Sequence, residues 1–170
     1  MGEKIGNDHL LMPHIQSCSI ACGGHVGDAD SMSETVKLAQ KYQVEIGAHP
    51  SFPDKENFGR KSMSMASDAL INSLVSQINS LEKICSVLGA RLNHIKPHGA
   101  LYNQAITDLR TAGAVIQVMK KYPGVTLYAP WQSVVSELAQ EDGIPVKFEG
   151  FADRRYEHDG SLAPRNNSDS

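Results

Sequence analysis

The chain has 170 residues, 41% of them hydrophobic and 21% charged, and a formal net charge of -3. That length suits one hydrophobic core rather than two, and the composition excludes wholesale disorder and fibrous architecture. A slightly acidic chain without a block of Lys or Arg gives no electrostatic reason to expect nucleic acid or an anionic membrane, which leaves small molecules and proteins as partners.

In chain order, short apolar runs bounded by Gly or Pro each precede a longer segment with helical spacing. Ser17 to Cys22 reads as a first strand. Asp30 to Tyr42 follows as a helix, with Met32, Val36, Leu38 and Ala39 at helical intervals and Asp30 or Ser31 as its cap. Val44 to Ala48 reads as the second strand, His49 to Met65 as a loop, and Ser67 to Leu88 as a long amphipathic helix ended by Gly89. Leu92 to Ile95 is the third predicted strand, Thr107 to Lys121 a helix, and Val125 to Tyr128 the fourth strand. Trp131 to Asp142 is a further helix and Val146 to Phe148 the fifth strand. Such alternation predicts an α/β fold with parallel strands joined by right-handed helical crossovers. A barrel and an open doubly wound sheet both satisfy it. One domain is expected over residues 1–165, followed by a polar tail, 166–170.

No apolar stretch reaches the roughly 20 residues of a membrane-spanning helix, and Met1-Gly2-Glu3-Lys4 lacks the apolar segment of a secretory signal, so a cytoplasmic location is expected. Cys18, Cys22 and Cys85 suit free thiols better than a disulfide framework, and Cys18-x3-Cys22 lacks the second ligand pair of a zinc site. Asn166-Asn167-Ser168 is a chance match to a glycosylation acceptor.

The polar residues concentrate at strand ends. Cys22-Gly23-Gly24-His25-Val26-Gly27-Asp28 follows the first strand, His49-Pro50 the second, Lys96-Pro97-His98-Gly99-Ala100-Leu101-Tyr102 the third, and Phe151-Ala152-Asp153-Arg154-Arg155 the fifth. In parallel α/β architectures the carboxyl ends of the strands form the ligand-binding face. His25, Asp28, His49, Lys96, His98, Asp153 and Arg154 are therefore expected to converge on one rim as the catalytic set. His9, His14, His94 and His158 do not follow strand ends in this way and are assigned no role. The glycine-rich Gly23-Gly24-His25-Val26-Gly27 matches neither a Walker A loop nor Gly-x-Gly-x-x-Gly, so any nucleotide is held differently. Two chemistries fit such a rim. Imidazoles with a carboxylate such as Asp28 can hold a divalent metal that activates water. Alternatively, Lys96 and Arg154 can neutralise a phosphate or an oxyanion while a His or Asp moves protons.

Together, Ile20-Ala21-Cys22-Gly23-Gly24-His25-Val26-Gly27-Asp28, Ile46-Gly47-Ala48-His49-Pro50-Ser51-Phe52-Pro53-Asp54, Phe58-Gly59-Arg60-Lys61, Lys96-Pro97-His98-Gly99-Ala100-Leu101-Tyr102-Asn103 and Phe151-Ala152-Asp153-Arg154-Arg155-Tyr156 resemble, in order and content, the LamB/YcsF family of 5-oxoprolinase A subunits. The resemblance extends from about Gly2 to Arg165. It implies an irregular parallel β/α barrel related to polysaccharide deacetylases. It also implies a role in converting 5-oxo-L-proline to L-glutamate, with ATP as co-substrate and subunits B and C as partners. Family members begin with an Asp-x-Asn-x-Asp-x-Gly-Glu strand, of which Gly2-Glu3 remains here, and they continue beyond Arg155 through further strand–helix units. The resemblance thus implies a barrel lacking its first strand and its C-terminal units, with free sheet edges that invite homo-oligomers. In this reading Lys96 and Arg154 stabilise phosphate or oxyanion charge. His25, His49 or His98, oriented by Asp28 or Asp153, is the general base or the proton donor. Glu3, Cys22 and Tyr102 contact substrate. A metal-dependent amidase or deacetylase acting on a small N-acyl substrate, or a non-catalytic truncated module, are the competing readings.

Overall fold

Alternating apolar runs and amphipathic segments become a five-stranded parallel sheet with helical crossovers in the computed structural model, which describes residues 1–156. The strands are β1 (Ser17–Ala21), β2 (Glu45–His49), β3 (Leu92–Ile95), β4 (Thr126–Ala129) and β5 (Val146–Phe148). The helices are α1 (Asp8–Leu11), α2 (Ala29–Lys41), α3 (Ser67–Val87), α4 (Gly99–Thr107), α5 (Leu109–Met119) and α6 (Val134–Glu141), and a 3-10 turn spans Met12–His14. The expected tail at 166–170, the domain limit at 165, His158 and the Asn166 sequon lie outside the described residues.

The spatial order β1-β2-β3-β4-β5 is the chain order, and every neighbouring pair is parallel. Each crossover therefore steps one strand in the same direction. With right-handed connections this keeps the helices on one face, which is the winding of a barrel and not of a doubly wound sheet. Among the described residues β1 and β5 do not pair, so the sheet is open between them. On the free side of β1 the ladder continues by one residue: the Met1 amino group donates to Ser19 O at 2.9 Å, and Ala21 N donates to Met1 O at 3.0 Å.

Side chains alternate across the sheet with period two, and the two faces differ in chemistry. Cys18, Ile20, Ile46, Ala48, Ile95, Leu127 and Ala129 are buried in one apolar core with Leu74, Ile78 and Leu81 of α3 and Val115 and Met119 of α5. The opposite face is polar. Ser17 and Tyr128 share a hydrogen bond of 3.3 Å, Ser19 Oγ lies 3.0 Å from His94 Nε2, and the His94 and Tyr128 rings stack with centroids 4.1 Å apart. Gly47 is needed beside this stack, because a Cβ there would collide with the His94 ring.

Several local expectations change. The helix predicted from Thr107 is two helices. Asp108 between them is extended (φ -93°, ψ 109°), and its carboxylate accepts from Thr111 N, ending α4 and capping α5. Helix α4 itself is not predicted, because its segment is short and opens with Gly99, a poor helix former. The predicted start of α6 at Trp131 moves to Val134, where Ser133 and Ser136 form a capping box. The cap of α2 is Asp28, with Ser31 completing the box, rather than Asp30 or Ser31 alone.

Candidate functional site

Parallel pairing sets Ala21 beside His49 at the carboxyl end of the sheet, and the loops leaving β1, β2 and β3 fold inward from that level. Three predicted histidines meet there. His25 and His98 stack nearly parallel, with centroids 3.7 Å apart and planes 6° apart, and His49 meets both rings edge-on at 5.7 and 4.8 Å. Only 2% of His25 and 8% of His98 is exposed, so the stack is largely removed from water. Glu3 reaches the same cluster from the N-terminal segment, its Oε1 lying 3.4 Å from His25 Nε2.

Backbone groups fix the ring orientations. His49 Nδ1 lies 2.7 Å from Lys96 O, His98 Nε2 lies 3.0 Å from Phe58 O, and His98 Nδ1 faces His49 Nε2 at 3.0 Å. The Phe58 ring packs edge-on against His25 and His98, and the Arg60 guanidinium lies 5.2 Å from the Phe58 centroid. Gly99 allows this closure: its φ is +54°, and a Cβ there would stand 2.5 Å from Gly59 O. The loop is held from below by Gln77, whose side-chain amide donates to Ser51 O and accepts from Ser51 N.

Burial, followed by the charge His98 would carry, pushes His49 well below the ordinary histidine range. Burial and the neighbouring His25 lower His98 to about 4. The His25 hydrogen bond holds the Glu3 carboxyl below its usual range. Near neutral pH the rim thus presents neutral His49 and His98 beside an ionised carboxylate, a set able to accept protons or to donate lone pairs.

Lys96 stands beside this cluster in a second group. Its Nζ is 2.8 Å from Glu149 Oε2 and 4.8 Å from the Phe151 ring centroid, and the Tyr102 ring packs edge-on against Phe151 at 5.9 Å. Tyr102 is 5% exposed, and burial with the nearby Glu149 carboxylate raises its phenol far above the usual range. Arg154 is half-buried in the turn that follows Phe151, and its amide donates to Phe151 O at 3.4 Å.

Three expected site residues fall elsewhere. Asp28 faces solvent: one carboxylate oxygen accepts from Ser31 N to cap α2, and the other pairs with Lys4 Nζ at 2.6 Å. The Lys4 bond and the Ser31 amide hold its carboxyl far below the ordinary range. A capping carboxylate is committed to the first turn of its helix, which is why Asp28 does not turn to the histidines. Cys22 is 2% exposed within the apolar core, its thiol against the backbone of His49, and burial raises it to about 12, so it lies beneath the rim and is closed off from a substrate. Asp153 is exposed in the turn after β5, outside the histidine cluster.

Sequence reasoning gives no role to Phe58, Arg60 or Glu149. The signal for the first two is the motif Phe58-Gly59-Arg60-Lys61, a glycine-containing turn in a polar loop. Glu149 has a weaker one, as the acid directly beyond the last strand.

The model of the LamB/YcsF family matches residues 1–170. The 5-oxoprolinase A subunit of Methylococcus capsulatus is 43% identical over 163 residues, 95% of this chain and 63% of the relative. The 5-oxoprolinase A subunit of Staphylococcus aureus strain Newman is 39% identical over 176 residues, 100% of this chain and 70% of the relative. The chain therefore spans about two thirds of the length of these relatives. The crystal structure of a lactam utilization protein from Thermus thermophilus superposes with a TM-score of 0.92 at 37% identity, covering 97% of this chain and 69% of that one. A proposed cellobiose-phosphate cleavage protein of Enterococcus faecalis V583 superposes with a TM-score of 0.59 at 15% identity, covering 86% and 63%, which is a likeness of fold alone.

Proposed function

The chain belongs to the LamB/YcsF family, and from that premise we propose that it acts as the A-type subunit of an ATP-dependent 5-oxoprolinase, opening the lactam of 5-oxo-L-proline to L-glutamate. The observation that carries this reading is the identity of 39–43% to two proteins named as A subunits of 5-oxoprolinase. The chemistry of the rim supports it. An unstrained lactam is a poor electrophile. Phosphoryl transfer from ATP to the amide oxygen would make the ring carbon open to attack by water, and a proton must then reach the departing nitrogen. Neutral His49 or His98 suits the proton-accepting step, with His25 and Glu3 orienting the neighbouring ring. Lys96, with Arg154 beside Phe151, suits the anionic oxygen or phosphate, provided Glu149 yields its partner. Tyr102 would line that pocket.

In this reading ATP is the co-substrate, subunits B and C complete the enzyme, and the active form works in the cytoplasm. No helix among the described residues is long and apolar enough to cross a membrane.

The test is 5-oxoproline-dependent ATP hydrolysis and glutamate release by this chain mixed with its two partner subunits. Turnover that needs all three is expected. Glutamate release by the partners that is unchanged when this chain is omitted would overturn the proposal.

A further inference from the structure

Two rim imidazoles meet nitrogen to nitrogen. His49 Nδ1 lies against Lys96 O and His98 Nε2 against Phe58 O. A carbonyl oxygen only accepts, so each of these nitrogens carries its ring's proton. In a neutral imidazole the other nitrogen is then a bare lone pair. Those other nitrogens, His49 Nε2 and His98 Nδ1, face each other at 3.0 Å. Lone pair opposes lone pair, which is repulsive unless a cation lies between them. A Glu3 carboxylate oxygen completes a trio whose ligand atoms all lie within 4.8 Å of one another.

We propose that His49 Nε2, His98 Nδ1 and the Glu3 carboxylate form a divalent-metal site. The spacing suits one ion: at metal–nitrogen distances of roughly 2.0–2.1 Å, two imidazole nitrogens stand about 2.9 Å apart at a right angle and about 3.3 Å apart at a tetrahedral one. The surroundings are also those of a metal site. Each ligating ring has its distal N–H tied to a backbone carbonyl, which fixes tautomer and orientation. Glu3 is steered by His25 Nε2, and His98 is clamped between the stacked His25 ring and the edge of Phe58. Two imidazoles and one carboxylate select a borderline ion such as Zn²⁺ or Co²⁺ over Mg²⁺ or Ca²⁺, which favour all-oxygen sets. Three protein ligands leave coordination positions open to water or substrate, unlike a closed structural site. The inference concerns the rim assigned above to lactam chemistry but does not depend on that assignment; where His49 and His98 hold an ion their free nitrogens are occupied, and the proton-accepting step would fall to His25.

The experiment uses the tag-free chain stripped with a chelator. Zn²⁺ is titrated calorimetrically, Co²⁺ is followed by its visible spectrum, and the histidine ring nitrogens are followed by ¹⁵N NMR. One ion per chain is expected, with affinity falling at least about a hundredfold in His49→Gln and His98→Asn and at least about tenfold in Glu3→Gln. The exposed-residue control His14→Ala should leave it unchanged. In the metal-free chain the ring proton should sit on His49 Nδ1 and on His98 Nε2, and Zn²⁺ should shift the other nitrogen of each. Circular dichroism establishes that each variant is folded, and Glu3→Gln, in the N-terminal segment, keeps the test open if a histidine variant is not. No stoichiometric uptake, uptake undiminished in the three variants, or one ring doubly protonated at neutral pH would each overturn the proposal. Turnover is not read, so failure here and failure of the lactam assignment are separate results.

Discussion

A histidine at a strand end becomes chemically defined only by what its two nitrogens touch. His98 binds Phe58 O through one and faces His49 through the other, so it can take or hold charge only toward His49 and Glu3. Replacing His98 with Asn should lower lactam-dependent turnover of the assembled enzyme at least about a hundredfold, whether the ring moves a proton or ligates an ion; a steady-state assay on the three-subunit mixture checks it. The cysteines are the opposite case. Cys18, Cys22 and Cys85 are buried, and burial lifts their thiols to about 11, about 12 and about 11. At pH 8 about one in a thousand or fewer is thiolate, and the thiolate is the reactive form. A disulfide reagent should therefore leave the native chain nearly unlabelled and titrate three thiols after denaturation. Rapid labelling of the native chain would contradict the burial.

At the scale of elements, the loops and caps that aim the site also carry stability. Ser133 is fully buried, and its side chain accepts from Ser136 N to cap α6. Ser133→Ala should cost about 1 kcal/mol in chemical denaturation and leave rim chemistry alone. Gly99 holds φ +54° at the start of α4, against Gly59 O. Gly99→Ala should cost about 1–3 kcal/mol from the left-handed backbone, and it should also reduce turnover, because the displaced loop carries Phe58 O and His98. A stable variant with unaltered kinetics would show that the loop tolerates the clash. Asp28→Ala should lower the melting temperature, since it removes the α2 cap and the Lys4 pair, while turnover stays within about twofold, the scale of a group that does not touch reactants.

Across the whole molecule, the sheet separates an apolar face under the helices from a polar face that ends in the rim. His94 lies on the polar face, hydrogen-bonded to Ser19 of β1 and stacked on Tyr128 of β4, with Lys147 of β5 and Lys96 as the nearby cations. Burial, and then these lysines, lower it to about 4. The native state therefore favours the neutral ring. Stability from this residue is complete above the unfolded value of about 6.5, declines as the unfolded chain takes up a proton between about 6.5 and 4, and levels off below that. The loss is on the order of 3 kcal/mol at about 1.4 kcal/mol per pH unit. Urea denaturation between pH 7.5 and 4 should show this slope added to those of His49 and His98, which are lowered too, and His94→Gln should make it shallower without abolishing it.

The strand–helix alternation is legible in the residues alone, because side-chain periodicity is a local property: all five predicted strands occur, with ends shifted by at most one residue. The meeting of His25, His49 and His98 is legible too, because residues just beyond parallel strands share one rim. The barrel-like winding does not follow from periodicity, since it depends on which strands pair; it is legible only through the family motifs. The separation of Asp28 and Cys22 from the rim is not legible, nor are the recruitment of Phe58 O and Glu149 and the placement of Glu3 against His25. Those outcomes depend on side-chain direction and on contacts between segments remote in the chain. A spacing rule has no access to either, and the nitrogen-to-nitrogen contact of His49 and His98 exists only once both loops are folded.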